Sequence, residues 1–109
     1  MEQNLVVRAL GALAHDSRLA IFRALVVAGP AGMAAGDIAQ RLGIAPSSLS
    51  FHLKDLTHAD LVKPRQEGRF VIYTANFEAM NGLIGFLTEN CCAGAPCVAS
   101  DPANCCGEK

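Results

Sequence analysis

Cysteine is missing from the first ninety residues, no apolar run approaches the ~20 residues of a membrane-spanning helix, and the charges of the 109-residue chain nearly cancel, at -1. The first absence excludes a fold stapled by disulfides, whose cysteines would be spread through the chain. The second excludes a helical membrane anchor. With the opening MEQNLVVRALGALAHDSR also lacking a basic stretch followed by a cleavage site, the expectation is a cytoplasmic protein with no membrane partner. The third excludes a generic polycation, so any contact with nucleic acid has to come from the distribution of charge and not from its sum. No Cys-x-x-Cys hook and no nucleophile, base and orienting acid are present, which points away from an enzyme and from a constitutive cofactor.

With 51% of its residues apolar and 17% charged, the chain has the balance of a folded domain. A core of this size is only modestly stable alone, so a partner subunit would help it. Charge is unevenly placed. Residues 1–37 balance to zero, residues 38–74 carry +2 through Arg41, Lys54, Lys63, Arg65 and Arg69 against three acids, and residues 75–109 carry -3. Phosphate contacts are therefore sought in the middle block. All five cysteines, Cys91, Cys92, Cys97, Cys105 and Cys106, fall in the last nineteen residues, an odd number that does not close a disulfide set.

Apolar spacing predicts helices over 3–14, with Leu5, Ala9, Leu10 and Leu13 on one face, and from Asp16 or Ser17 as cap to Gly29 and Pro30, with Leu19, Phe22, Leu25 and Val26 buried. A third helix over 34–42 buries Ile38 and Leu42 and breaks at Gly43. A fourth over 46–59 starts at Pro46, whose fixed φ suits a first helical position. Helix, short turn and helix make the helix-turn-helix outline. Two β-prone runs, 62–65 and 69–74, flank Gln66, Glu67 and Gly68 as a hairpin. A last helix over 77–90 sets Phe77, Met80, Ile84 and Leu87 on one face, and its Gly82 and Gly85 invite close packing against a second helix. Beyond it periodicity is lost, which predicts a flexible cysteine-rich tail over 91–109 following one domain over 1–90.

On a helical wheel of the fourth helix, Leu49, Leu53 and Leu56 cluster as the core face. Ser47, Ser48, Ser50, Phe51, Lys54 and His58 belong to the remaining surface. Serine can bond phosphates or base edges, lysine can reach a phosphate or a guanine, and Phe51 can lie on a thymine methyl. Lys63, Arg65 and Arg69 on the hairpin and Arg41 on the preceding helix add candidate phosphate contacts. The expected fold is thus mainly α with a β-hairpin wing.

The segments ALAHDSRLAIFRALV, GDIAQRLGIAPSSLSFHLKDLTHADLV and EGRFVIYTAN resemble the ArsR/SmtB family of metal-responsive winged-helix repressors over about residues 5–90. The resemblance implies a homodimer, joined through its first and last helices, that binds palindromic operator DNA and releases it on binding an inducer. It implies a framework role for His52, while His15 and His58 read as isolated surface histidines. The Cys-x-Cys of arsenical repressors is replaced by Ala34 and Gly36 before Asp37, and the last helix lacks the histidine of the zinc sensors. LTENCCAGAPC is similar to the C-terminal site of other arsenite-responsive members, which makes Cys91, Cys92 and Cys97 the implied ligands and As(III) or Sb(III) the implied inducer. Soft thiolates suit such ions. Cys105 and Cys106 form a second tier. A thiol redox-sensing repressor on the same fold, a structural zinc site and a metalloid carrier that binds no DNA stand as alternatives.

Overall fold

The computed structural model describes residues 2–89. Its elements run α1 (Gln3–Leu13), α2 (Asp16–Ala28), a 3-10 turn (Gly29–Ala31), β1 (Met33–Ala34), α3 (Ala35–Leu42), α4 (Pro46–His58), β2 (Val62–Glu67), β3 (Phe70–Ala75) and α5 (Phe77–Leu87). The architecture is mainly helical with a small antiparallel sheet, a winged helix-turn-helix. No helix among the described residues is long and apolar enough to cross a membrane.

The helix ends follow local chemistry. Asn76 caps α5 by accepting the Ala79 N–H, and its amide donates to the Asp60 carbonyl at 2.8 Å, which ties the exit of α4 to the start of α5. At that exit Asp60 takes φ 62°, its N–H returns to Thr57 O, and Leu61 N–H returns to Leu56 O. This is a Schellman closure, in which the residue after the left-handed position packs back on the helix. Leu56 and Leu61 are accordingly both fully buried. The N-cap of α2 differs from expectation. His15, not Asp16 or Ser17, makes the cap, its ring nitrogen accepting from Ser17 N–H, because α2 itself begins at Asp16.

The hairpin is longer than its β-prone residues imply. Gln66 and Glu67 pair with Val71 and Phe70, leaving Gly68 and Arg69 as a two-residue turn, with Gly68 at φ 62° in the first position. Such turns require a positive φ that glycine supplies. The two-residue strand β1 is not legible in the sequence. Met33 and Ala34 pair with Tyr73 and Ile72, giving the strand order β1-β3-β2. Gly32 makes that pairing possible. It has φ 70°, and a Cβ there would lie 2.5 Å from the Tyr73 carbonyl oxygen and 2.6 Å from Thr74 Cγ2.

The core gathers Val6, Ala9 and Ala12 of α1, Ile21, Phe22 and Leu25 of α2, Ile38 of α3, Leu49, Leu53 and Leu56 of α4, then Leu61, Val62, Ala75 and Leu83. The expected stripes are met in part: Ala9, Phe22 and Leu25 are buried, and Leu13, Val26, Phe77 and Met80 pack partly against the core, but their other members do not turn inward. Leu5 and Leu10 of α1, Leu19 of α2, and Ile84 and Leu87 of α5 are exposed in the single chain. These helices have apolar residues on more than one face, so spacing alone does not say which face turns inward. Of the small residues in α5, Gly85 meets nothing within 4 Å.

Gly32→Ala combines a forced left-handed φ with a clash against strand backbone, and should lower unfolding stability by about 2 kcal/mol or more. Asp60→Gly relieves a left-handed non-glycine residue, and should raise stability by ~0.5–1 kcal/mol. Urea denaturation of the two variants checks both signs.

Candidate nucleic-acid interface

Three leucines decide which way α4 faces. Leu49, Leu53 and Leu56 are at most 3% exposed, so the helix is pinned by one stripe, and Ser47, Ser48, Ser50, Phe51, Lys54 and His58 stand in solvent. Pro46 occupies the first turn and Ala45, the N-cap, offers no side-chain acceptor. The first amides of α4 thus have no side-chain cap from Ala45, and no acid lies in that turn. Such an end favours anions. Ser50 donates its hydroxyl to the Pro46 carbonyl at 3.1 Å, which leaves its oxygen as an acceptor for a partner.

Phe51 is 70% exposed, and on the hairpin Phe70 is 65% exposed. Large aromatics left in water in this way suit contact with a partner, Phe51 from α4 and Phe70 from beside Ala34 and Gly36. Sequence reasoning missed Phe70, whose signal was its place directly after the Gly68–Arg69 turn. It also missed Pro64 and Tyr73. These two pair across β2 and β3 and, with Lys54, Thr57 and His58, line a groove of about 290 Å³ between α4 and the wing.

The expected basic residues divide into free and engaged. Arg41 in the last turn of α3, Lys63 on β2 and Arg69 at the hairpin turn are exposed. Arg65, though exposed, is engaged by other groups of the chain. Its Nε donates to Glu67 Oε2 at 2.8 Å, and its two terminal nitrogens donate to the Pro30 and Ala31 carbonyls at 3.4 and 3.2 Å. It fastens the wing to the turn that ends α2.

His52 occupies the framework position expected of it, half-buried, but His15 is not isolated. The two rings lie 4.8 Å apart. Burial, then the His15 ring and the Arg18 guanidinium, push the His52 imidazole below its ordinary value, and Asp55 acts in the other direction. His58 is exposed at the end of α4, as expected.

Among the described residues, no three His, Cys, Asp or Glu side chains come together as a metal site. Ala34 and Gly36 line a mostly apolar groove of about 460 Å³ with Asp37, Phe70 and Ile72, and contribute no donor side chain to it. Cys91, Cys92, Cys97, Cys105 and Cys106 lie outside the described residues, as does Asn90, which was expected to end the last helix.

A helix-turn-helix domain model matches residues 13–65, which span α2 to the first half of the wing. The chain is similar to nodulation protein NolR of Rhizobium meliloti, 32% identical over 80 residues, covering 73% of this chain and 63% of that protein. It therefore spans somewhat less than two thirds of that relative. It is similar to the arsenical resistance operon repressor of Bacillus subtilis (strain 168), 35% identical over 81 residues, covering 74% of this chain and 73% of that one. Among solved structures it resembles an ArsR-like transcriptional regulator from Rhodococcus sp. RHA1, with a TM-score of 0.69, 26% identity and coverage of 77% and 76% of the two chains. It also resembles a homodimeric winged helix-turn-helix DNA-binding domain from Mycobacterium bovis, described as a possible ArsR-family regulator, with a TM-score of 0.64, 27% identity and coverage of 80% and 81%. The Bacillus relative is an operon repressor and the Rhodococcus protein a transcriptional regulator. In the leucine-pinned reading helix, the wing beside it and the extent of its likeness to the Bacillus repressor, the chain shows itself a member of the ArsR/SmtB family of winged helix-turn-helix transcriptional repressors.

Proposed function

We propose that this chain represses transcription as a homodimer on a palindromic operator and releases the DNA when As(III) or Sb(III) binds Cys91, Cys92 and Cys97. The observation that carries the DNA half is α4, seated by three leucines with its serines, Phe51 and Lys54 bare, beside a wing that presents Lys63 and Arg69. A helix so placed enters the major groove, with the wing over the neighbouring backbone. The +2 charge of residues 38–74 is small, so two copies acting together supply the affinity, which falls steeply with salt. Leu5, Leu10, Ile84 and Leu87, exposed on α1 and α5, are the surface the second copy covers, and the Mycobacterium domain it resembles is homodimeric.

The inducer half rests on the thiols and on the likeness to an arsenical resistance repressor. Three sulfur ligands match a soft, three-coordinate trivalent ion. Cys91 follows the end of α5 by four residues, so closing Cys91, Cys92 and Cys97 around an ion pulls on a helix of the dimer face. The ion favours whichever dimer it binds better, here the one whose reading helices no longer match grooves one turn apart. Cys105 and Cys106 extend the site or deliver the ion to it.

Lys54→Ala should weaken operator binding and reduce the slope of log K against log salt by ~1, as one lost phosphate contact does. Arg65→Gln should instead lower thermal stability, since Arg65 is tied within the chain, and leave the salt slope nearly unchanged. Salt-dependent anisotropy on promoter DNA beside thermal melts separates the two. Replacing Cys91 and Cys92 by serine should preserve operator binding and abolish its release by arsenite. Release that persists in the double variant removes these two thiols from the sensing site.

A further inference from the structure

His15 and His52 meet where the link between α1 and α2 passes α4, their rings inclined at 49°. Their ring nitrogens are placed in two different ways. His15 Nδ1 accepts the Ser17 N–H at 3.1 Å and so caps α2. An imidazolium carries N–H on both nitrogens and cannot accept, and a cation at that helix end also opposes the helix dipole. His52 Nδ1 is shut off from solvent with no protein hydrogen-bond partner. With the ring proton on Nε2 it is a bare lone pair, whereas protonation would place a charged donor there with nothing to receive it.

The surroundings do not compensate. His15 faces His52 from the link and Arg18 faces it from α2, both disfavouring a second positive charge. Asp55, on α4 itself, favours it, but that carboxylate already lies 3.8 Å from Arg18 Nη1. Arg18 Nε is buried without a partner, so the pocket holds one under-paired cation before any proton arrives. Asp16, beside His15, opens the first turn of α2.

We infer that His15 and His52 are positioning residues that form a latch whose proton-sensitive member is His52, holding α4 against the start of α2 while His52 is neutral and loosening the reading helix when it is protonated. The effect on DNA rests on the function proposed above; the latch chemistry does not. The unfolded chain takes up the His52 proton more readily than the folded one. Stability from this contact is therefore complete above pH ~6.5 and is lost as pH falls below it. Ordinary electrostatics predicts the opposite for operator affinity, because added positive charge strengthens attraction to phosphate.

Operator affinity and thermal midpoint, measured from pH 7.5 to 5.5 at fixed salt, test this in the wild type, His15→Asn, His52→Gln and the double variant. Asparagine keeps a capping acceptor that does not titrate. The wild type is expected to lose roughly tenfold in affinity and several degrees in midpoint, about what one lost cap produces. The double variant should hold or gain affinity and lose less midpoint. If it does not fold, His52→Gln alone shows a flattened profile. Parallel wild-type and variant profiles in either measurement overturn the latch. If no complex forms at pH 7.5 the DNA reading fails, and the midpoint profiles still decide the latch.

Discussion

Everything on the outer surface of this molecule depends on the burial of Leu49, Leu53 and Leu56. Together these side chains contribute several kcal/mol, at about 1.5–3 kcal/mol each, and they allow α4 only one rotation about its axis. Because the stripe is narrow, the rest of the helix is left for contact, and Ser47, Ser50, Phe51 and Lys54 are exposed by the same packing that fixes the core. The wing takes its position from this seat too. Leu56 and Leu61 close the end of α4, Val62 continues directly into β2, and Asn76 links that corner to α5.

The same economy leaves the fold incomplete as a single chain. Its buried residues come from every helix, yet α1, α2 and α5 keep large apolar side chains in water. A second copy over α1 and α5, as proposed above, removes the apolar side chains of those two helices from solvent and sets two reading helices at a fixed separation. On the function proposed above, it also gives the thiols that follow α5 in sequence a mechanical route to the DNA. On this account the sensing tail need not touch the reading helix, since altering how two copies meet is enough.

The reading helix was legible in the sequence because several local signals agree there: Pro46 at the first turn, leucines at helical spacing and glycine at the preceding break. The α1 and α5 faces were not, because helices that pack on both their own core and a neighbour carry apolar residues all around. His15 was misread for a different reason. Its contact with His52 joins residues 37 positions apart, which no local pattern carries, and its cap on Ser17 N–H, though local, uses a side chain outside the usual capping set. β1 was hidden because two residues make no periodicity, and the position that enables it, Gly32, is recognisable only from the strand backbone beside it. Arg65 looked like a free cation until the turn at Pro30 and Ala31 was placed against it. The cysteines were conspicuous in the sequence and lie outside the described residues, so their assignment rests on chemistry and kinship.

Fluorescence anisotropy on a duplex from the chain's own promoter, with arsenite, antimonite, zinc and cadmium titrated separately, tests the central claim most directly. The account predicts a salt-sensitive complex of two chains per duplex that the trivalent metalloids dissolve at concentrations where zinc leaves it intact. A promoter complex indifferent to arsenite and antimonite, or no salt-sensitive complex at all, would contradict it.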